Sequence, residues 1–404
     1  MTAVDPRQAR SPGITYQELL DTDTHPVPDV LRLEAPKYLG DEDIPITRYI
    51  TREWHELEKE RLWSRVWQFA CRTDHIPEAG DYIVYDITNQ SYIVVRQPDG
   101  SIKAYPNACL HRGRKLKDYD GHCEEIRCPF HGFAWALEGE LADVPAKWDF
   151  PHVEERQEQD FSLPECAVDT WAGFVFINPD KNCEPLGDFL GGIKEQFEIW
   201  NLEDRCVEAH VTKIIGANWK IAYDGYLEGY HFAAAHPDTI AQRTYSNVME
   251  FGAYGPHTLI CFPHLAIKEN LKDVAPDQYH TQENNGYDWI RTLFPNISIF
   301  VAPEITLISQ IMPGPGPNQN TTYLNFIHPS KPAGEDVELQ GMMDFLCDVV
   351  DTEDYKVGLA IQRGLEAHAH SNVTFGRNEA GNQLFHKWVS WYLAKDPSAP
   401  KPTL

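Results

Sequence analysis

The chain has 404 residues, of which 42% are hydrophobic, so it is long enough for two or three domains with buried cores. Its 61 acidic against 35 basic residues give a formal net charge of −26, which argues against nucleic acid and against an anionic membrane surface as partners. It has neither a run of about 18 apolar residues nor a basic leader, and its nine cysteines are scattered, so we expect a cytoplasmic protein without a disulfide framework.

The first part of the chain predicts an extended arm followed by an all-β domain. Residues 1–50 are rich in Pro and Asp and show little periodicity. A short helix is predicted from Thr51 to Trp63, where Thr51 has the character of an N-cap. Strand-like segments separated by turn residues follow, namely VWQFACRT, DYIVYDI, SYIVVRQ, SIKAYPNAC, IRCPFHGFAWAL and WAGFVFINPD. We expect one domain over residues 51–180.

The second part predicts an α+β domain over residues 181–404. GDFLGGIKEQFEIW has a helical pattern, and strand-like segments follow, namely VEAHVTKIIGANWK, HTLICFPHLAIK, ISIFVAP, ITLISQIMPG and TTYLNFIHPS. A long helical pattern runs from about Val337 to Glu366, and another helix is predicted in QLFHKWVSWYLA. Long helices against an antiparallel sheet are typical of α+β domains.

The most specific motif is a pair of short loops that each provide one cysteine and one histidine: Cys109 with His111, and Cys128 with His131. Two thiolates and two imidazoles suit a [2Fe–2S] cluster in which cysteines hold one iron and histidines the other. A tetrahedral zinc site uses the same ligand types and is the alternative, but a zinc finger usually takes both cysteines from one turn. A glycine follows each histidine, which lets backbone N–H groups approach bridging sulfides. We therefore predict an electron-transfer module.

A second metal site is predicted around two histidines. Mononuclear non-haem iron is held by two histidines and one carboxylate, which leave positions open for O2. His231 and His236 are five residues apart, so on an ideal α-helix their side chains would point about 140° apart. They converge only if the helix ends or distorts, and Pro237 disfavours helical geometry at His236. With 17 histidines in the chain the spacing alone is weak, but an electron-transfer cluster needs an acceptor.

Carboxylates near these histidines are the other candidates. Glu228 lies three residues before His231, so we expect the two to share one helical face. There it could orient the imidazole and connect it to another group, although an ordinary exposed glutamate is the alternative. The third iron ligand must come from elsewhere, and spacing cannot choose among four acids of the long helical pattern: Asp348, Asp351, Glu353 and Asp354.

Together these motifs resemble those of the catalytic α subunit of Rieske non-haem iron oxygenases. The resemblance spans roughly residues 50–390. It rests on CLHRG (109–113), CPFHGFAWALEGEL (128–141), GANWK (216–220), EGYHFAAAH (228–236), EDYKVGLAIQRG (353–364) and FGRNEAGNQLFH (375–386).

The resemblance implies an N-terminal Rieske domain and a C-terminal helix-grip catalytic domain. It implies that the two cysteine–histidine pairs hold the cluster, and that His231, His236 and Asp354 bind Fe(II). In this family the cluster of one subunit lies beside the iron of the next. The resemblance therefore implies a head-to-tail homotrimer, with or without a small β subunit, in which electrons pass from His131 through Glu228 to His231 of the neighbour.

One residue departs from the family pattern. The family most often has Asp three residues before the first iron histidine, and this chain has Glu228. A second comparison concerns the cluster loops. No cysteine directly follows either cysteine–histidine pair, so no disulfide bond stabilises these loops. This absence is typical of the oxygenase type.

These observations predict the terminal component of a multicomponent oxygenase. It would use O2 and electrons from NAD(P)H, supplied by a separate reductase with or without a ferredoxin, because the chain has no G-x-G-x-x-G fingerprint and no plant-type ferredoxin cysteine spacing. The product would be a hydroxylated, cis-dihydroxylated or dealkylated small molecule, and we expect an aromatic substrate. A Rieske electron carrier without oxygenase chemistry and a zinc-bound module are the alternatives.

Overall fold

The structure is a computed structural model that describes Asp21, Val153, Gln278 and residues 42–151, 161–246, 249–275, 286–329, 337–376, 379–394 and 399–402. Most of the predicted N-terminal arm, residues 1–50, lies outside the described residues. The chain forms two compact units. One contains Leu57–Phe189 and Asn201–Val207, and the other contains the residues up to Glu56, Leu190–Trp200 and Glu208–Leu404.

The described helices are α1 (Thr47–Ile50), α2 (Arg52–Arg61), α3 (Leu186–Leu190), α4 (Trp219–Gly225), α5 (Phe232–Ala235), α6 (Ile267–Leu271), α7 (Val337–Asp348), α8 (Tyr355–Glu366) and α9 (Ala380–Leu393). Helix α2 begins after Thr51, whose Oγ1 accepts a hydrogen bond from Trp54 N at 3.4 Å, as its N-cap pattern predicts. None of the helices in the described part of the chain is long and apolar enough to cross a membrane.

Two helical predictions are refined by the structure. The long pattern that starts at Val337 is continuous, but a π-helical segment, Val349–Asp354, joins α7 to α8. The pattern GDFLGGIKEQFEIW forms α3 and then a 3₁₀ helix, Gly191–Trp200. Further 3₁₀ turns are Thr73–His75, Lys147–Asp149, Leu202–Asp204 and Ile240–Gln242.

The described strands, in chain order, are β1 (Ile44–Pro45), β2 (Gln68–Arg72), β3 (Asp81–Ile87), β4 (Gln90–Arg96), β5 (Ile102–Pro106), β6 (Gly121–His122), β7 (Ile126–Arg127), β8 (Ala134–Trp135), β9 (Leu141–Asp143), β10 (Ala167–Trp171), β11 (Phe174–Asn178), β12 (Cys206–Gly216), β13 (Glu250–Tyr254), β14 (His257–Pro263), β15 (Tyr287–Leu293), β16 (Ile297–Val301), β17 (Thr306–Pro313), β18 (Asn320–His328) and β19 (Asn372–Val373).

The unit built around residues 57–189 is dominated by β-structure, which confirms the predicted all-β domain. Its sheets have the strand orders β10-β11-β2, β5-β4-β3-β6 and β7-β8-β9. Tyr105, Phe133 and Trp135 are buried in one apolar cluster that also contains Cys109 and Cys128. The two ligand loops therefore rest on a packed core, which fixes their backbone.

The other unit is α+β, as predicted. Strands β13 to β18 follow one another as antiparallel neighbours in a seven-stranded sheet, and β12 lies beside β18. Helix α4 packs against β17 and β18, and α8 packs against α4 and α1. Tyr355 and Val350 belong to an apolar cluster with Phe326 of β18, so the start of α8 is anchored on the sheet. The pattern HTLICFPHLAIK is a strand only as far as Pro263, because Ile267 begins α6.

Candidate metal centres

The two cysteine–histidine loops fold in the same way. Gly113 N donates to Cys109 O at 2.8 Å, and Gly132 N donates to Cys128 O at 3.1 Å. Both glycines have positive φ, +74° and +80°, a backbone conformation that costs other residues free energy. The glycine after each histidine therefore closes a tight loop around its cysteine.

The loops place sulfur inside and imidazole outside. Cys109 and Cys128 are 4% and 2% exposed, whereas His111 is half-buried and His131 is exposed. The two histidine rings are 4.8 Å apart between centroids. The four side chains that the sequence singled out thus come together as a pair of thiols and a pair of imidazoles.

The chemistry of these side chains fits an iron–sulfur cluster. Burial raises the pKa of the Cys109 thiol, and neighbouring Cys128 adds to this, so two thiolates here require a cationic partner. Burial, helped by His131 and Arg112, lowers the pKa of His111 and favours the neutral ring that binds metal. His111 Nδ1 is buried and has no hydrogen-bond partner in the described part of the chain, as expected for a ligand atom.

The second pair of histidines flanks a single helical turn. His231 precedes α5 and His236 follows it, with φ −119° and ψ 46°, so the helix ends where Pro237 predicts. His236 Nε2 lies 3.0 Å and His231 Nε2 lies 3.5 Å from Asp354 Oδ1. One ligand atom from each of the three residues lies within 4.8 Å of the others, which fits the two-histidine, one-carboxylate set of non-haem iron.

In each histidine, the ring nitrogen that faces away from Asp354 donates a hydrogen bond to a glutamate. His231 Nδ1 donates to Glu228, whose other oxygen accepts from His231 N at 3.2 Å. His236 Nδ1 donates to Glu353 Oε2 at 2.5 Å, and Thr239 Oγ1 donates to the same oxygen at 2.7 Å. Such hydrogen bonds fix the tautomer and aim Nε2 at the metal.

The expectation that Glu228 and His231 share a helical face is wrong. Helix α4 ends at Gly225 and α5 begins at Phe232, so Glu228 lies in a non-helical link. The contact forms because the link turns back on itself and the glutamate is long enough to reach both the ring and the backbone of His231.

Two consecutive acids at the end of the π-helical segment contact the same histidine ring. Glu353 and Asp354 end the π segment, and both contact His236, at Nδ1 and at Nε2 respectively. π-turns concentrate at functional sites. The other two acids among which spacing could not choose, Asp348 and Asp351, are exposed.

The charges at this site call for a cation. Burial lowers the pKa of His231, but the charge of Glu228 and hydrogen bonds with Asp354 and Glu228 outweigh burial and raise it to about 10. Burial raises the pKa of Asp354, yet hydrogen bonds from His231 and His236 hold it at about 2. Without a metal, a proton serves as the positive charge, and Fe(II) would replace it.

Sequence reasoning missed a polar network next to Glu228. Tyr49 Oη donates to Asp224 Oδ2 at 2.8 Å, and His386 Nε2 lies 3.1 Å from Asp224 Oδ1. Asn382 Nδ2 donates to the Asp224 backbone carbonyl at 3.0 Å. These residues come from α1, α4 and α9, so no local spacing could have grouped them.

Comparisons with known proteins agree with this arrangement. Residues 66–154 match the Rieske [2Fe-2S] domain, and residues 196–395 match the family described as ring hydroxylating alpha subunit (catalytic domain). The two matches cover the two units that carry the cysteine–histidine loops and the histidine–aspartate set, respectively.

Individual relatives are oxygenase components. The carnitine monooxygenase oxygenase subunit of Escherichia coli K12 is 27% identical over 81% of this chain and 85% of its own length. The anthranilate 1,2-dioxygenase large subunit of Acinetobacter baylyi is 30% identical over 46% of this chain and 40% of its own length. A solved quaternary ammonium Rieske monooxygenase, described in terms of carnitine oxidation and inter-subunit electron transfer, aligns with a TM-score of 0.73 and 21% identity over 92% of this chain and all of its own.

We predict that Glu353→Gln weakens iron binding about tenfold or more, because an amide polarises the His236 ring less than a carboxylate does. The measurement is a titration of the metal-depleted protein with Fe(II) against a competing chelator. Asp351→Asn is the matched control, since Asp351 is an exposed acid of the same π-helical segment. Equal affinities for the two variants would show that Glu353 does not support the metal.

Proposed function

Because the chain belongs to the Rieske non-haem iron oxygenases, we propose that it is a terminal oxygenase that hydroxylates a small organic substrate, or dealkylates it by hydroxylating a carbon next to a heteroatom. The observation that carries the proposal is the convergence of His231, His236 and Asp354 in the same chain as the cysteine–histidine loops. A Rieske electron carrier needs no catalytic domain, so that alternative is not supported. The match to a Rieske domain disfavours the zinc-bound module.

We assign the cluster to four ligands: Cys109, His111, Cys128 and His131. We assign mononuclear Fe(II) to His231, His236 and Asp354. When bound, the cluster supplies single electrons and the iron activates O2 beside the substrate. Electrons from NAD(P)H would reach this chain through a separate reductase, with or without a ferredoxin, because the sequence has no nucleotide fingerprint.

Glu228 is proposed as the link between the two kinds of centre in different copies of the chain. The ring of His131 is exposed, so a second copy can contact it, and Glu228 already binds His231. A carboxylate between the two imidazoles would give the electron a continuous hydrogen-bonded path. The inter-subunit transfer named for the related monooxygenase supports transfer between copies, and for these copies we propose the head-to-tail trimer that the family resemblance implies.

For the substrate we propose an N-methylated ammonium compound ahead of the aromatic compound that the sequence suggested. The carnitine monooxygenase subunit supports this class, because its similarity extends over most of both chains. The aromatic class is the second candidate, supported by the anthranilate dioxygenase subunit over less than half of this chain.

We predict that L-carnitine or glycine betaine accelerates NADH and O2 consumption by the chain reconstituted with a reductase. Carnitine and glycine betaine are the compounds named for related oxygenase subunits, which is why they are tested first. Anthranilate and a steroid acid complete the panel, and mass spectrometry of the products separates single hydroxylation, dihydroxylation and dealkylation. Stimulation by anthranilate alone would assign the aromatic class instead.

We predict that Glu228→Gln leaves the cluster signal in EPR and the iron content unchanged, while turnover falls by about a hundredfold. The amide keeps most of the size of the carboxylate but removes the charge that His231 contacts. Wild-type turnover in this variant would reject the bridging role. Loss of iron even at saturating Fe(II) would instead mean that Glu228 acts only by holding the His231 ring, as Glu353 holds that of His236.

We predict that two inactive variants complement each other when mixed. Cys109→Ser removes a cluster ligand and His236→Ala removes an iron ligand, so each protein alone should be inactive. Mixed oligomers, obtained by co-expression with different affinity tags, contain intact clusters next to intact irons of other copies and should recover part of the wild-type rate. Activity that does not exceed the sum of the separate variants would confine electron transfer to a single chain.

A further inference from the structure

A cavity of about 210 Å³ beside Glu228 has a mostly apolar lining that includes four acids and, among the described residues, no lysine or arginine. Its acidic members are Asp224, Glu228, Asp354 and Glu379. Burial, with the charges of Glu228 and Asp224, raises the pKa of Glu379 to about 7. The cavity is therefore short of positive charge even after His231 and the iron are counted.

Among the acids of this cavity, Asp224 has no role in the metal site described above. Tyr49 Oη and Asn382 Nδ2 donate to its carboxylate at 2.8 and 3.3 Å, and His386 Nε2 lies 3.1 Å away. Tyr49 and His386 are each about 1% exposed, so the carboxylate is held in one place by buried groups. A carboxylate held in one orientation at the cavity wall can form an ion pair with a cation that enters the cavity.

The unit that holds the cysteine–histidine loops presents a suitable cation. Arg112 directly follows His111, is exposed, and forms no ion pair in the described part of the chain. Its guanidinium lies 5.5 Å from the centroid of the Phe130 ring, which is itself 3.7 Å from the His131 ring. Nearby Arg114 and Arg127 are instead paired with carboxylates of their own unit.

This geometry links Arg112 to His131. Phe130 contacts both groups, so the guanidinium lies within about 9 Å of the His131 ring and the two can meet the same partner surface. Two copies of a chain with a net charge of −26 repel each other, so contact between them needs local opposite charges. Phe130, 56% exposed, and the exposed Val357 and Ile361 at the cavity add apolar surface on both sides.

We propose that Arg112 of one copy docks into the cavity of a second copy, opposite Asp224, and so positions His131 against Glu228. Arg112 and Asp224 are positioning residues: neither contacts the reacting atoms, and both set the approach of the electron donor. The inference rests on the proposed transfer between copies and names the charges that align it.

Mixed oligomers test the pair, because each residue should matter in only one kind of copy. A donor copy carries His236→Ala, and an acceptor copy carries Cys109→Ser. The readout is the part of cluster reoxidation by O2-saturated buffer that is lost when iron is removed, followed by stopped-flow absorbance after reduction with dithionite. Arg112→Gln in the donor copy and Asp224→Asn in the acceptor copy should each slow it about tenfold.

The same changes in the opposite copies should leave the rate unaffected. Combining both changes in their active positions should slow it no further than either alone, since they remove one interaction. Arg112→Lys should restore part of the rate and its decrease with salt. Arg114→Gln in the donor copy is the matched control, because Arg114 is already paired with Asp118.

Two results would overturn the inference: an unchanged rate for both variants, or equal slowing whichever copy carries the change, which would indicate a structural role. Either leaves the proposed function intact as long as unmodified donor and acceptor copies show iron-dependent reoxidation. If they show none, transfer between copies fails and the Arg112 docking fails with it.

Discussion

Two imidazole rings held between three carboxylates are the constraint on which the catalytic unit depends. Glu228 and Glu353 each accept a hydrogen bond from the Nδ1–H of one histidine. Both Nε2 atoms therefore face Asp354. Three carboxylates around two neutral rings leave an excess of negative charge. This excess raises the pKa of His231 to about 10. The polypeptide thus builds a site whose charge only a bound cation completes.

This arrangement is incompatible with unbroken helix. His231 and His236 converge because α5 is a single turn that ends at His236, and Glu353 reaches the same ring as Asp354 because the long helix passes through a π-helical segment there. Each irregularity gives up regular helical hydrogen bonding. The sheet beneath compensates, since Val350 and Tyr355 on either side of the acids pack into the cluster that includes Phe326. The sheet thus stabilises the irregular segments that form the site.

The sequence predicts those parts of the site that depend on local backbone geometry. Pro237 predicts the helix end at His236, and the glycines after the cluster histidines predict their tight loops. Asp354 could be singled out only through a family resemblance, because spacing treats all four acids alike. Glu353 was predicted only as one of four candidate iron ligands, and spacing does not reveal its hydrogen bond with His236 Nδ1 or the π-helical segment that carries it. Tyr49 and His386, whose side chains meet although they are 337 positions apart, are grouped only by the packing of α1 against α9.

The glutamate at the bridging position follows from the shape of its link. Glu228 lies outside any helix, yet its two oxygens bind the backbone N–H and the ring of the same residue, His231. An aspartate at this backbone position would be shorter by one methylene, about 1.5 Å, and could not keep both contacts without a shift of the link. The longer side chain therefore suits a carboxylate that starts from a non-helical link. Both oxygens are already engaged by His231, so an imidazole from another copy, as proposed above, would have to use their remaining lone pairs. Asp224 and Glu379 line the same cavity as Glu228, so their charges would contribute to the alignment of a donor that approaches from that cavity.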